Sequence, residues 1–304
     1  MSVDTDPTAV RLPNGCAYQG RWLRDLRLRA WNTRDLEATA QPSSTEARSV
    51  AQRTTAILAR CVTLNDGQAV DEEFVRNLVV GDREALLLHL QRMSSGDRFS
   101  CVLTCPQCRD RMDFELELRT LLLPPYEHAQ SSHLASIADG EGKSYEVQFR
   151  LPTGADQEFV AALALQDCAA AARVLLERCI EVIDNGATTG VPDAVTAGLP
   201  NLMAKLDPQA ELILHVHCPS CETQFDTQFD ASRVVHATMD QALLLLLRDV
   251  HRLASYYHWT EAEILALSAE KRRIYCDLIS QEQSDHQREP RREPRRDYHV
   301  RGLA

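Results

Sequence analysis

The chain has 304 residues, a hydrophobic content of 44% and a formal net charge of −11. This length allows a buried core and favours two or three modules over one, while the acidic charge argues against broad nucleic-acid binding, which depends on displacing counterions from phosphates. No apolar run approaches the ~20 residues that cross a bilayer, and the acidic N-terminus is unlike a secretory signal, so we expect a soluble, cytoplasmic protein.

Residues 1–98 are predicted to form a mainly helical N-terminal module. Asn14-Gly15 is typical of a turn. Asp82 is a natural N-cap for a leucine-rich helix that Gly96 would end. Candidate N-caps of an earlier helix are Ser43 and Ser44.

Two segments have the same unusual layout, a strand-like run, a CPxC motif and another strand-like run. Residues 99–118 contain the first motif and residues 211–230 the second. In the first segment apolar residues alternate with charged ones after the motif, which is the period-two pattern of a strand with one wet face. Each segment is therefore predicted to be a zinc-ribbon-type hairpin. The paired cysteines are Cys105 with Cys108 and Cys218 with Cys221.

Two cysteines at this spacing can direct both sulfurs at one ion, and four thiolates suit tetrahedral Zn(II). We therefore expect one shared zinc per chain, with residues 119–210 forming an inserted α/β module between the hairpins. Two alternatives stay open: cysteine pairs that have lost the metal or act only in redox chemistry, and two separate sites completed by other ligands. A shell of four thiolates leaves no position for a water nucleophile, so the metal would be structural.

Three neighbouring residues could change this interpretation. His215 and His217 could complete a separate site, although their alternation also suits two strand residues on one face. Cys101 forms CxxxCxxC with the first pair, the spacing that holds an iron–sulfur cluster in radical S-adenosylmethionine enzymes. Against that reading, the chain lacks the repeated strand and helix alternation of the required barrel.

The rest of the chain is predicted to be helical and then disordered. Residues 231–282 form a C-terminal helical module in which Thr260 and Glu263 are spaced as a capping box and Ser268 can cap the last helix. Residues 283–304 form a charged, Pro-containing tail that we expect to be disordered. The predicted fold class is α+β, with helical terminal modules around a small antiparallel zinc-ribbon-like unit.

No catalytic motif is found: the sequence lacks GxSxG, HExxH and a P-loop glycine pattern. The chain is therefore predicted to bind or assemble proteins rather than to be an enzyme. Candidate contact residues are the aromatic group Tyr256, Tyr257, His258 and Trp259, because Tyr and Trp are enriched among interface anchors. The competing interpretation is that these residues form a helix junction packed in a core.

The order of several phrases, among them LVVGDREALLLHLQRMSSGD, CPQC, FRLPTGADQE, LDPQAELILHVHCPSC and YYHWTEAEILALSAEKRRIYCDLI, resembles the T-even phage baseplate family. The resemblance implies a baseplate hub assembly chaperone of contractile tails and extracellular contractile injection systems. It also implies zinc-type ligation by the four CPxC cysteines, hub or spike proteins as partners, and possible incorporation into the particle. A nucleic-acid-binding zinc ribbon and a radical S-adenosylmethionine enzyme are the alternative functions.

Overall fold

The computed structural model describes residues 6–40, 48–186 and 190–288. The chain divides into two compact units, Met1–Asp240 and Gln241–Ala304. The predicted caps Ser43 and Ser44, and the charged tail from residue 289 onwards, lie outside the described residues.

The first unit contains two similar series of elements, which we call the first and second repeats. The first repeat comprises β1 (Ala9–Tyr18), β2 (Arg21–Leu28), α1 (Thr33–Thr39), α2 (Val50–Cys61), β3 (Val62–Leu64), α3 (Glu72–Asn77), α4 (Val80–Ser95), β4 (Arg98–Thr104) and β5 (Arg111–Glu117). The second comprises β6 (His133–Ala138), β7 (Ser144–Phe149), α5 (Gly154–Ala164), α6 (Cys168–Cys179), β8 (Ile180–Ile183), α7 (Asp193–Leu206), β9 (Leu212–His217) and β10 (Gln224–Phe229).

Both repeats follow one plan: two strands, two helices, a third strand, a further helix and a final hairpin. In each repeat the first three strands form an antiparallel sheet with the second strand in the middle, β1-β2-β3 and β6-β7-β8. Leu28 pairs with Val62 in the first sheet, and Phe149 pairs with Ile180 in the second. Among the described residues of the second repeat, which exclude 187–189, no helix corresponds to α3.

A buried aspartate ties the helices to the sheet in the first repeat. Asp35 is the third residue of α1, and its side chain is 1% exposed. Arg29 donates to both of its carboxylate oxygens, at 2.6 and 3.1 Å, and Arg60 Nε donates at 2.9 Å. The Arg29 backbone N–H donates to the carbonyl of Cys61 at 3.0 Å, which aligns the end of α2 with the end of β2.

The second repeat contains the same group of contacts around Asp156, the third residue of α5, which is also 1% exposed. Arg150 donates to both carboxylate oxygens, at 2.5 and 2.9 Å, and Arg178 Nε donates at 3.0 Å. The Arg150 backbone N–H donates to the carbonyl of Cys179 at 2.9 Å. Because the same atoms bond in the same order, the two repeats share detailed local structure as well as element order.

This organisation adds detail to two of the predicted modules. Residues 1–98 contain the four helices α1 to α4 and also the sheet β1-β2-β3, which was not predicted from the sequence. Residues 119–210 hold the sheet and helices of the second repeat. Buried and exposed residues alternate only in parts of β1, and its register shifts between Arg11 and Cys16, so the period-two pattern is weak there. The Asn14-Gly15 pair lies within this strand instead of forming a turn.

The caps predicted from sequence are partly correct. Gly96, with φ +93°, ends α4 as predicted. Asp82 does not cap that helix: Val79 holds the N-cap position, and the Asp82 carboxylate accepts from the backbone N–H groups of Asn14 and Gly15, both at 2.8 Å. A short-range cap and a long-range contact compete for the same carboxylate, and here the contact with β1 prevails.

The first unit ends within α8 (Ala231–Tyr257), and α9 (Glu261–Ala266) and α10 (Ala269–Arg288) follow in the second unit. Thr260 and Glu263 form the predicted capping box, and Ser268 Oγ accepts from the Lys271 N–H at 3.3 Å. The core of the second unit is a cluster of four buried side chains: Leu253, Ile264, Cys276 and Ile279. Helix α10 continues to Arg288, beyond the predicted start of the tail at residue 283.

In the described parts of the chain, no helix combines the length and apolar character needed to span a membrane.

We expect Asp156→Asn to lower the free energy of unfolding at pH 7 by about 3 kcal/mol, because it removes a buried carboxylate and leaves two arginines without their anion. Burial alone would raise the pKa of this carboxyl, but hydrogen bonds from Arg150 and Thr153 lower it to about 2. The contribution of the Asp156 carboxylate to the free energy of unfolding is therefore present at neutral pH and lost as the pH falls from about 4 to about 2. Urea unfolding at pH 7 and at pH 2 to 3 measures both effects.

Asp35→Asn should lower the free energy of unfolding at pH 7 by a similar amount, since Asp35 accepts the equivalent hydrogen bonds from Arg29 and Arg60. The exposed Glu146→Gln on β7 is the control and should change stability by less than about 0.5 kcal/mol. A loss at Asp156 that persists unchanged to pH 2 would contradict the electrostatic explanation.

Candidate metal centre

Each repeat ends in a hairpin whose turn carries one CPxC motif. Strands β4 and β5 pair up to Thr104 and Arg111, so residues 105–110 form the first turn. Strands β9 and β10 pair up to His217 and Gln224, so residues 218–223 form the second turn. The two turns therefore have the same length and start at the first cysteine of each motif.

The two turns also have the same pattern of backbone hydrogen bonds. In the first, the Cys105 N–H donates to the Asp110 carbonyl at 2.9 Å, and the Cys105 carbonyl accepts from the Arg109 N–H at 3.0 Å. In the second, the equivalent bonds join Cys218 to Thr223 and to Glu222, both at 2.9 Å. Arg109 and Glu222, which follow the second cysteines, adopt left-handed conformations with φ of 65° and 59°. These turns fold each cysteine pair so that both sulfurs lie on one side.

All four predicted cysteine sulfurs come together at this point, within 4.8 Å of one another. Cys105 Sγ lies 3.6 Å from Cys221 Sγ, and Cys108 Sγ lies 3.7 Å from Cys218 Sγ. A disulfide would require about 2.05 Å, so the sulfurs are not bonded to one another. Four sulfurs at about 2.3 Å from a tetrahedral ion would be about 3.8 Å apart. The spacing therefore fits four ligands around one metal ion, and this group could hold one.

Apolar packing between the hairpins supports the sulfur cluster. Cys105 and Cys218 are fully buried, next to Met112 from one hairpin and Val216 from the other. Cys221 is half-buried and Cys108 is exposed. The turns also bond directly, since the Ser220 hydroxyl donates to the Asp110 carboxylate. Partly buried side chains complete the contact: Leu103, Phe114, Leu214 and Phe225.

The electrostatic surroundings favour a thiolate at one of the four positions. The Thr223 hydroxyl lies 3.4 Å from Cys221 Sγ. Its side chain and its backbone N–H lower the pKa of the Cys221 thiol to about 6. Metal binding requires deprotonated thiols, and the four positions are not alike: the Asp110 backbone N–H lowers the pKa of the Cys108 thiol, but desolvation and hydrogen bonds with the other three cysteines raise it to about 12.

The alternative ligands considered from sequence lie elsewhere. His215 and His217 are exposed on β9, on the face opposite the buried Val216, and His215 Nδ1 is 2.6 Å from Asp226 Oδ1. Cys101 is partly buried in β4 and is not one of the converging residues. Among the described residues, no other group of three or more His, Cys, Asp or Glu side chains converges on one point. The CxxxCxxC interpretation is thus not supported.

The aromatic group in the second unit forms a helix junction. The Tyr257 and Trp259 rings stack at 4.7 Å, and both rings also contact Tyr275 edge to face. His258, with φ 57°, directly follows α8 in a left-handed conformation. Tyr256 is 40% exposed and its hydroxyl donates to Glu282. The structure therefore favours the core interpretation for Tyr257 and Trp259, and it leaves Tyr256 and His258 at the surface.

The repeat itself was missed in the sequence, although a signal is present. The strings ILARCV (57–62) and LLERCI (175–180) end α2 and α6. In addition, Arg29 precedes Asp35 by the same separation as Arg150 precedes Asp156. A search for internal repeats would have linked the two CPxC motifs to the two halves of the chain.

The family model of the T4 bacteriophage base plate protein matches residues 21–235. The matched segment covers most of both repeats and includes all four clustered cysteines. No curated protein and no solved structure matches the chain. The match spans well over half of the 304 residues, and the chain therefore belongs to the T4 bacteriophage base plate protein family.

Proposed function

We propose that the protein is an assembly chaperone or minor structural component of the baseplate hub of a phage-tail-like contractile particle. Membership of the base plate family is the observation that carries this proposal. The protein acts by binding hub or spike proteins, without catalysis. It works in the cytoplasm during assembly and can then be incorporated into the particle.

The cysteine cluster holds one structural Zn(II) per chain in this proposal. Cys105, Cys108, Cys218 and Cys221 supply the four ligands, and the sulfur spacing of 3.6 and 3.7 Å supports their fit to a tetrahedral ion. Such a closed shell has no open position for a substrate, so the metal's contribution is to join the two hairpins. Zinc is preferred over iron because it requires no redox role and suits a four-thiolate structural site.

Exposed apolar residues in the second unit support a role in protein binding. Leu244, Leu245 and Leu247 on α8 are 44%, 49% and 48% exposed. Leu244 and Leu247 lie three residues apart, on one face of the helix. Adjacent exposed leucines of this kind often mark protein interaction sites.

Metal analysis of the purified protein should find one zinc per chain. Cys105→Ser and Cys218→Ser should each abolish stoichiometric binding and lower the thermal stability, because zinc binding and the docking of the hairpins are coupled. Cobalt substitution should give the thiolate charge-transfer bands of a tetrahedral site. Elemental analysis, thermal unfolding and absorption spectra provide these readouts.

Cys101→Ser is the matched control, since Cys101 lies in the same hairpin but outside the cluster. That variant should keep one zinc per chain. If Cys105→Ser also kept its zinc, or if iron alone were found, the proposed site would be wrong.

Co-expression with the hub and spike proteins of the same particle should yield a stoichiometric complex, measured by size-exclusion chromatography with light scattering. The complex should persist after deletion of residues 283–304. Failure to recover any tail component with the full-length protein would contradict the proposal. Tight, salt-sensitive binding of DNA or RNA by the truncated acidic chain would instead favour a nucleic-acid-binding protein.

A further inference from the structure

The first repeat binds a helix in the groove between α2 and α4. This helix is the first part of α8, residues 231–240, which belongs to the first unit. Toward α2, His236 Nε2 lies 3.0 Å from Thr54 Oγ1, and Arg53 forms an ion pair with Asp240. Ala231, Val235 and Met239 recur every four residues along this helix, and each is at most 2% exposed.

Helix α4 contributes the other wall of this occupied groove. Glu84 accepts from the Ala231 N–H at 3.0 Å, and Gln91 Nε2 donates to Thr238 Oγ1 at 3.3 Å. Glu84 therefore places a carboxylate at the N-terminus of the bound helix, where the helix dipole favours negative charge. The bound helix thus contacts the Glu84 carboxylate at its N-terminus, and its Asp240 forms an ion pair with Arg53.

The second repeat has the equivalent groove between α6 and α7. Helices α2 and α6 end in Cys61 and Cys179, whose carbonyls accept the same bond from Arg29 and Arg150. Thr54 and Ala172 occupy the same position relative to those cysteines. Helices α4 and α7 are likewise equivalent, because each follows the third strand of its repeat and precedes the CPxC hairpin.

This second groove is open. Its volume is about 650 Å³, and its walls are mainly apolar, with Ala172 and Leu176 from α6 and Pro200, Met203 and Ala204 from α7. Thr54 is 3% exposed beneath α8, whereas Ala172 is exposed. The position that contacts a helix in the first repeat therefore faces solvent in the second.

Charged side chains also line the open groove. Arg173 of α6 lines the groove and is exposed, with only an exposed partner, Glu177, at 3.4 Å. The exposed Glu211 lines it as well. Arg173 can therefore pair with an acidic side chain of a bound helix, although it does not occupy the position that Arg53 has in the first repeat.

We propose that the groove between α6 and α7 binds an amphipathic helix from a baseplate partner protein. That helix carries small or apolar residues at i, i+4 and i+8, as Ala231, Val235 and Met239 do, and an acidic residue that pairs with Arg173. The identity of the partner rests on the proposed function, whereas the helical form of the ligand rests on the occupied groove of the first repeat.

The test uses the full-length protein co-expressed with the hub and spike proteins. Ala172→Arg and Ala204→Arg place a long charged side chain in the groove and should each weaken the complex at least about tenfold, because an unpaired charge would be buried under the partner helix. Ala197→Arg is the matched control: it is an exposed alanine on α7 that does not line the groove. The Ala197→Arg variant should bind the hub and spike proteins with the same affinity as the unmodified protein.

Thermal unfolding and zinc content should be unchanged in all three variants, since each substituted alanine is exposed.

A photo-crosslinking residue at position 204 should link to a partner segment with apolar residues at the stated spacing. Crosslinking to a second copy of this chain would overturn the proposal. So would a complex that forms equally well with Ala172→Arg and Ala204→Arg, and that result would leave the proposed function intact. Absence of any complex with the unmodified protein would overturn both.

Discussion

The convergence of four thiols from two separate turns is the interaction on which the arrangement of the first unit depends. Cys108 and Cys218 lie 110 positions apart in the chain, yet their sulfurs are 3.7 Å apart. Each turn alone offers only two ligands, and a two-stranded hairpin is at best marginally stable by itself. Apolar contacts through Met112 and Val216 bring the hairpins together, and a metal ion bound at the sulfurs would make their association far stronger.

The repeat explains why the cysteine pairs are so far apart. Each pair lies in the last hairpin of its repeat, so the separation reflects the spacing between the two repeats. The buried carboxylates of Asp35 and Asp156 hold the corresponding helices and strands in the same way. A centre built from the ends of two equivalent units also gives equivalent roles to Cys105 and Cys218, both of which are fully buried.

The two repeats differ in what covers them. In the first, residues 231–240 of α8 contact both α2 and α4, and α4 is buried on several sides, with Arg83 donating to the carbonyls of Val75 and Ala51. In the second, α7 buries only Val195, Leu199 and Met203. Similar local structures thus give one closed and one open groove.

The sequence by itself determined the two CPxC hairpins, the capping box of α9 and the end of α4, because alternation, cysteine spacing and caps act over a few residues. It also identified the four cysteines that converge. Only the tertiary structure decided that Asp82 bonds to β1, and that Thr54 is covered while Ala172 is not. The physical reason is that these contacts join residues far apart in the sequence: Thr54 is buried by His236, 182 positions away. Local sequence patterns carry no information about which distant segment will pack against them.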